Sequence, residues 1–251
     1  MKRVWDIFSK KQMSVGSAAI VLVSMVFASR VMGLIRDRLL SARFAPDELG
    51  VYFAAFRIPN LLFELLIMGA LTSAFIPVFT KYLTRNEEDN GWKMTSTLIN
   101  VTMIFLIILS VPTVIWAEAL SQWLAPGFSQ VQIHEMAGYT RFMIMFQVLP
   151  LLVGNFFTGL LQSYNLFIVP AVAPVVYNIG IIIGVWVLSP TLGLYGAVWG
   201  VVFGAVLFLL IQDRFIAHLG YKHALKFDIK DPGVKRVFTL MLPRMFGLGI
   251  S

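Results

Sequence analysis

The chain has 251 residues, 58% of them hydrophobic and only 13% charged, with no cysteine and a formal net charge of +7. A soluble domain is about 45–50% apolar and about 25% charged. This composition therefore excludes a cytosolic α/β enzyme, a secreted disulfide scaffold and a disordered tail, and reads as an integral membrane protein. The missing cysteines also remove thiolate nucleophiles, iron–sulfur clusters and Cys-type zinc sites.

In residues 1–13, Val4 and Phe8 share a helical face among lysines, which predicts a short cytoplasmic segment lying on the membrane surface. The basic start, apolar run and Val26-Phe27-Ala28 imitate a cleaved signal peptide, but five more apolar segments follow and the first is read as a retained span. Hydropathy predicts six spans near 14–35, 49–80, 95–117, 138–163, 170–189 and 192–213, making an all-α transmembrane lobe over 14–217. A loop over 218–233 leads to the start of a seventh helix over 234–251, too short to cross a bilayer of about 30 Å. On this reading the chain is part of something longer.

Thirteen of the twenty basic residues fall before span one, between spans two and three, and after span six, all on one side if the count is six. The opposite loops, 125–135 and 189–193, hold none. This is the positive-inside pattern and places the N-terminus in the cytoplasm. Trp5, Trp92, Trp116, Trp123 and Trp186 fall near span ends and read as interfacial anchors.

The other seven basic residues are Arg30, Arg36, Arg38, Arg43, Arg57, Arg141 and Arg244. Arg38 and Arg43 reach an interface by snorkelling. A mid-span arginine such as Arg30 or Arg57 costs about 2.5–3.5 kcal/mol on insertion scales, tolerable when it faces a water-filled cavity, a counter-ion or an anionic ligand. Arg30 and Asp37 share a helix face, with Arg36 about 120° away. Arg57, Asn60 and Glu64 form one stripe that Met68 and Thr72 continue, while Pro59, Gly69 and Pro77 can bend the helix. A packing ion pair is the alternative for Arg57 and Glu64, weighed below a binding role because intramembrane charges are functional by default. Span four carries Gln147, then Asn155, Thr158 and Gln162 on one stripe, which fits interhelical hydrogen bonding and substrate contact equally. Pro170 and Pro174 are placed at or just inside a helix start, with Asn178 one turn on. Gly180, Gly184, Gly196, Gly200 and Gly204 read as close helix contacts.

His134, His218 and His223 are scattered, without metal-ligand spacing. There is no P-loop, no GxSxG and no carboxylate pair suited to acid–base work. The basic loops lack the interleaved aromatics that stack nucleobases. No metal, cofactor or nucleic acid is expected, and the chain reads as a transporter, not an enzyme.

Three blocks carry a resemblance: Ser29-Arg30-Val31-Met32-Gly33-Leu34-Ile35-Arg36-Asp37, Phe53-Ala54-Ala55-Phe56-Arg57-Ile58-Pro59-Asn60-Leu61-Leu62, and Gly69-Ala70-Leu71-Thr72-Ser73-Ala74-Phe75-Ile76-Pro77-Val78-Phe79. Ala125-Pro126-Gly127-Phe128, Pro170 to Pro174 with Asn178, and Leu242-Pro243 extend it over about 14–251. In these the chain resembles the MurJ (MviN) family of lipid II flippases, within the multidrug/oligosaccharidyl-lipid/polysaccharide exporter superfamily. The resemblance implies the N-terminal six-helix lobe of a two-lobed protein in the bacterial cytoplasmic (inner) membrane, working by alternating access with its C-terminal lobe. It implies that Arg30 and Arg36, with Asp37 beside the second, hold the diphosphate of lipid II while the polyprenyl tail stays among membrane lipids.

Phe63-Glu64 stands where many members carry an arginine pair, Met68 where they carry a glutamate, and Gly50 where they carry an aspartate. Arg57, or the unusual Arg244, would then replace the lost arginine. Alternatively the substrate is another polyprenyl-diphosphate saccharide. The expected substrate-binding set is Arg30, Arg36, Arg57, Asp37, Asn60 and Glu64, with Asn155, Gln162, Asn178 and Arg244 lining the cavity. A non-transporting membrane scaffold is the alternative from a different class.

Overall fold

The computed structural model describes residues 15–64 and 74–248, apart from the side chains of 15–18, 21 and 242–248. The described residues are helical throughout, joined by turns and loops, without a strand. Three helical runs, Glu88–Ile115, Ile168–Leu192 and Leu194–His218, are long and apolar enough to cross a membrane. A fourth is added if the bent pair Gln130–Phe146 and Val148–Ser163 counts as one span. The expected surface helix over 1–13 lies outside the described residues, as do Met68, Gly69 and Thr72.

Helix α1 (Val15–Arg43) runs well past the expected end at 35. Its 29 residues correspond to about 43 Å, more than the bilayer core needs. Pro46 then sits in the first turn of α2 (Pro46–Ala55), where the missing N–H costs nothing, and Glu48 closes that end by accepting from the Ala45 N–H at 2.8 Å.

The segment expected as one span over 49–80 is broken. After α2 the chain turns at Phe56 into α3 (Arg57–Phe63), and α4 (Ile76–Thr84) follows later. Pro59 explains the first break: it cannot donate to the carbonyl four residues back, that of Ala55. The Thr140 hydroxyl takes that role, donating to the Ala55 oxygen at 3.1 Å.

Helix α5 (Glu88–Ile115) has two unlike halves. Thr95, Ser96, Thr97 and Asn100 are buried in the first, whereas Ile104, Phe105, Ile107, Ile108, Val111 and Ile115 are exposed in the second, as lipid-facing residues are. Trp92, expected as an interfacial anchor, is half-buried near the start of this helix. It packs among Phe79, Tyr164 and Tyr221, at ring-centroid distances of 5.1, 5.8 and 5.3 Å. An aromatic cluster at the helix end captured it.

Helix α6 (Ala117–Leu124) is short. Next, α7 (Gln130–Phe146) opens on a capping box in which Ser129 and Gln132 satisfy each other's backbone N–H. It meets α8 (Val148–Ser163) at a 44° bend centred on Gln147. Pro150 accounts for the bend, because it removes the donor to the Phe146 carbonyl and its ring crowds that oxygen.

Helix α9 (Ile168–Ile183) begins before the prolines, so Pro174 lies inside the helix and not at its start. A π-helical turn (Gly184–Leu188) and the short α10 (Ser189–Leu192) complete this run. Gly193, at φ +57°, reverses the chain into α11 (Leu194–His218). Helices α9 and α11 touch backbone to backbone: a Cβ on Gly180 would overlap Gly204, and one on Gly184 would overlap Gly200. Such close approach is how helices associate in lipid, where apolar burial gives no preference for helix over acyl chain.

Residues 219–231 lie strapped across α5 before α12 (Pro232–Leu248) begins. The Asn100 amide donates to the carbonyls of Ala224 and Lys226, both at 2.9 Å. The Ser96 hydroxyl bonds the Tyr221 hydroxyl at 3.0 Å and accepts from the Ala224 N–H at 3.3 Å. Burial pushes the Tyr221 hydroxyl up to about 12, so it stays neutral at physiological pH. These bonds explain why Ser96 and Asn100 are polar and buried. Two apolar cores result. One gathers Phe75, Phe79, Met94, Leu152 and Val234 at the basic end, and the other gathers Leu40, Tyr52, Met136, Met143 and Val198.

Candidate functional site

The arginines of α1 have different fates. Arg30 is exposed and makes no hydrogen bond or ion pair among the described residues. Arg36 is held: Nε and Nη2 each contact Asp37 Oδ1 at 2.9 Å, and Nη1 donates to Asn178 Oδ1 at 3.1 Å. The Asn178 amide in turn donates to the carbonyls of Pro174 and Ser29 and to the Ser29 hydroxyl, at 3.1, 3.4 and 3.3 Å. Asp37 thus serves Arg36 and not Arg30, with which it was expected to share a face. Asn178 supplies the reason, because it draws the Arg36 guanidinium toward α9 and within reach of the neighbouring carboxylate. A guanidinium has five N–H donors. Three are engaged, which leaves two for a ligand.

Arg57 and Glu64, at the two ends of α3, do not pair. Both are exposed, and Arg57 Nη1 donates instead to the Leu124 carbonyl at 3.1 Å. Seven residues span about 10.5 Å of helix axis, whereas the C-terminal carbonyls of α6 present a nearer acceptor with a favourable dipole. Arg141 is also engaged, through Nε to the Val114 carbonyl at 3.1 Å and Nη1 to Glu118 at 3.4 Å. Arg244 falls within α12, its side chain outside the description.

A cleft of about 340 Å³ lies between α3, α8, α9 and α11. Asn60, Gln147, Asn155, Thr158 and Tyr177 give it polar groups, and Pro59, Phe63, Pro170, Pro174 and Phe208 give it apolar walls. Of the expected cavity residues, Asn60 and Asn155 line this cleft. Arg30, Arg36, Arg57, Gln162 and Asn178 do not, so the expected set is divided: the three guanidiniums and two of the amides lie outside the cleft, and Asn60 and Asn155 within it. Glu64 is likewise absent from the lining.

Tyr177 is the residue missed, and Gln147, noted among the polar groups of span four, stands outside the expected cavity set. Gln147 is 3% exposed; its amide nitrogen donates to the Tyr177 hydroxyl at 3.2 Å, and its oxygen is buried without a partner. Exchanging amide oxygen and nitrogen leaves one unsatisfied heteroatom either way. The signal was present, since Gln147 precedes Pro150 by three residues and a proline bend frees backbone and side-chain groups together. Thr158 donates to Gln212 at 2.8 Å and so braces α8 against α11, while Asn155 bonds back to Leu151 at 2.7 Å. Among the described residues no cluster of three or more potential metal ligands occurs.

Apolar spanning helices, broken helices between them and a polar cleft at the breaks define a multi-pass helical membrane protein. Two solved structures share the fold. A lipid II flippase MurJ in an inward closed conformation superposes with a TM-score of 0.72 at 23% identity, over 90% of this chain and 47% of the other. A MATE protein variant superposes at 0.62 and 15% identity, over 92% and 53%. The chain belongs to the lipid II flippase MurJ family, whose family model matches residues 41–251. It is 30% identical to a protein of Vibrio cholerae named probable lipid II flippase MurJ, over 93% of this chain. It is 28% identical to the lipid II flippase MurJ of Burkholderia cenocepacia, over 95% of this chain. The chain spans about half the length of these relatives, 47% and 48%.

Proposed function

We propose that this chain is the N-terminal lobe of a flippase that carries lipid II from the inner to the outer leaflet of the bacterial cytoplasmic membrane. In this reading the lobe has six spans over 14–217 and a cytoplasmic N-terminus. A cytoplasmic loop over 218–233 leads to the first turns of a seventh helix, and a C-terminal lobe completes the cavity. Alternating access exposes the head group first inside, then outside, while the polyprenyl tail stays in lipid.

One observation carries the reading: Arg30 stands on an apolar helix, exposed and without an acidic partner among the described residues. A guanidinium at membrane depth without a counter-ion is stabilised by water in a cavity or by an anionic ligand. Its planar fork matches two oxygens of a diphosphate. Arg36, with two free donors, and Arg57, on the same broken region as Asn60, add positive charge. The role of Asp37 is to orient Arg36. Asn60 and Asn155, in the neighbouring cleft, suit the polar saccharide–peptide head better than the diphosphate.

The test is replacement in bacteria depleted of their own lipid II flippase, using the whole reading frame that contains this chain and its Arg30→Ala and Arg30→Lys variants. Lipid II reaching the outer leaflet is read beside survival and membrane level of the protein. Rescue by the unaltered frame, loss in Arg30→Ala at normal protein level and weak rescue by Arg30→Lys are expected. Full transport by Arg30→Ala overturns the diphosphate site. No rescue by a well-expressed unaltered frame favours the second reading, another polyprenyl-diphosphate saccharide. Phe63 motivates that reading, because it puts an aromatic wall in the cleft at a position where the family resemblance implies an arginine.

A further inference from the structure

The basic end of the molecule holds a second polar site, apart from the arginines of α1 and α3. A cleft of about 620 Å³ opens between the α4–α5 turn and the start of α12. Lys81, Arg85 and Arg236 line it, with Tyr82, Glu87 and Asp231 beside them. None of the three cations forms an ion pair among the described residues, although two carboxylates share the space. Asp231 is already occupied, since its Oδ1 accepts from the N–H of Gly233 at 2.8 Å and of Val234 at 3.0 Å. A smaller cleft of about 290 Å³ shares Asn90 and Asp231 with the first and adds Lys93, Lys226 and Asp228. Asp228 is occupied in the same way, by the Lys230 N–H at 3.1 Å.

Loose positive-inside charge splays into water and needs no cavity. Here the charges line a concave space with fixed walls. On one side Asn100 and Ser96 clamp the strap that carries Lys226 and leads into Asp231. On the other, Asn86 turns the chain at φ +56° and the Glu87 N–H bonds the Tyr82 carbonyl at 2.9 Å, which fixes Arg85 between them. Two guanidiniums and an ammonium line one space with two carboxylates, of which Asp231 has Oδ1 taken by backbone N–H groups, so positive charge is in excess and complementary to an anion with several oxygens. The cleft also reaches Val78, a member of the buried core, so its inner end suits an apolar continuation of the ligand.

We infer that this cleft binds a phosphate ester through Lys81, Arg85 and Arg236. The chemistry is the same whether the ester is the head group of an anionic phospholipid or a soluble phosphate. The inference is independent of lipid II transport.

The experiment measures thermal unfolding of the protein encoded by the whole reading frame that contains this chain, in phosphatidylcholine nanodiscs, alone, with phosphatidylglycerol, and with added glycerol 3-phosphate or inorganic phosphate. The unaltered protein is compared with Arg85→Gln/Arg236→Gln, with Arg85→Lys/Arg236→Lys and with a control pair on the same basic face, Lys222→Gln/Lys230→Gln. Phosphatidylglycerol, a soluble phosphate or both are expected to raise the midpoint by about 3 °C or more in the unaltered protein and the control. The rise should vanish in the Gln pair and be reduced in the Lys pair, which keeps charge but loses the fork. Response to phosphatidylglycerol alone makes the ligand a lipid; response to soluble phosphate makes it a metabolite. No rise with any probe overturns the inference. So does an equal loss in the control pair, which would mean diffuse surface charge. The baseline midpoint in phosphatidylcholine reports whether each variant folds.

Discussion

The two ends of α9 meet their neighbours in opposite ways. Toward its C-terminus Gly180 and Gly184 press against Gly204 and Gly200 of α11, with no room for a side chain. Toward its N-terminus Pro170, Pro174 and Tyr177 face a cleft of about 340 Å³ whose polar groups come from bent or broken helices. In lipid, close backbone approach is a main source of helix affinity. Where proline prevents it, amide and hydroxyl side chains take over the freed positions. The glycine seam therefore makes α9 and α11 one rigid body, and the cleft is the place on that body where the packing is left incomplete.

The most damaging way to break this contrast is Gly180→Leu. With backbone and not a flexible side chain in the way, it should cost about 3 kcal/mol or more, read as a fall in thermal midpoint and membrane level. Unchanged stability would mean that the seam is not the rigid element. Asn178→Leu probes the link between seam and arginines. It removes the bonds to Arg36 and Ser29 and should cost about 1–3 kcal/mol, with transport falling further than stability alone explains. The smallest effect is expected at α3. A double-mutant cycle on Arg57→Ala and Glu64→Ala should give a coupling below about 0.5 kcal/mol, because the two side chains have separate surroundings. Coupling above 1 kcal/mol would restore the ion pair across that helix.

Helical content was legible, as were the apolar runs at Glu88–Ile115, Ile168–Leu192 and Leu194–His218, because hydropathy and chain length are local quantities. Proline effects were partly legible: Pro59 marked the break in the second apolar run and Pro174, read as at or just inside a helix start, is the seventh residue of α9, but Pro150 was passed over. Pairings across helices were not legible. Arg36 meets Asn178 from 142 residues away, and Trp92 joins a cluster with Tyr164 and Tyr221. Such contacts depend on the rotation of each helix about its own axis, which a charge or an apolar stripe constrains only to within a turn face. The site was legible in part. Asn60 and Asn155 share a cleft, while Gln162, on the same stripe as Asn155, lies seven residues or about 10.5 Å further along α8 and beyond its lining.

The strap over α5 bears on how movement passes along the chain. A free connector of a dozen residues absorbs displacement, so that the elements at its two ends move independently. Bonds from Asn100 to Ala224 and Lys226, and from Ser96 to Tyr221, tie this connector to α5 at three points before α12 begins. It works as a crank and not as a slack tether. Any tilt of α12 loads the buried polar half of α5, and a pull on α5 steers α12.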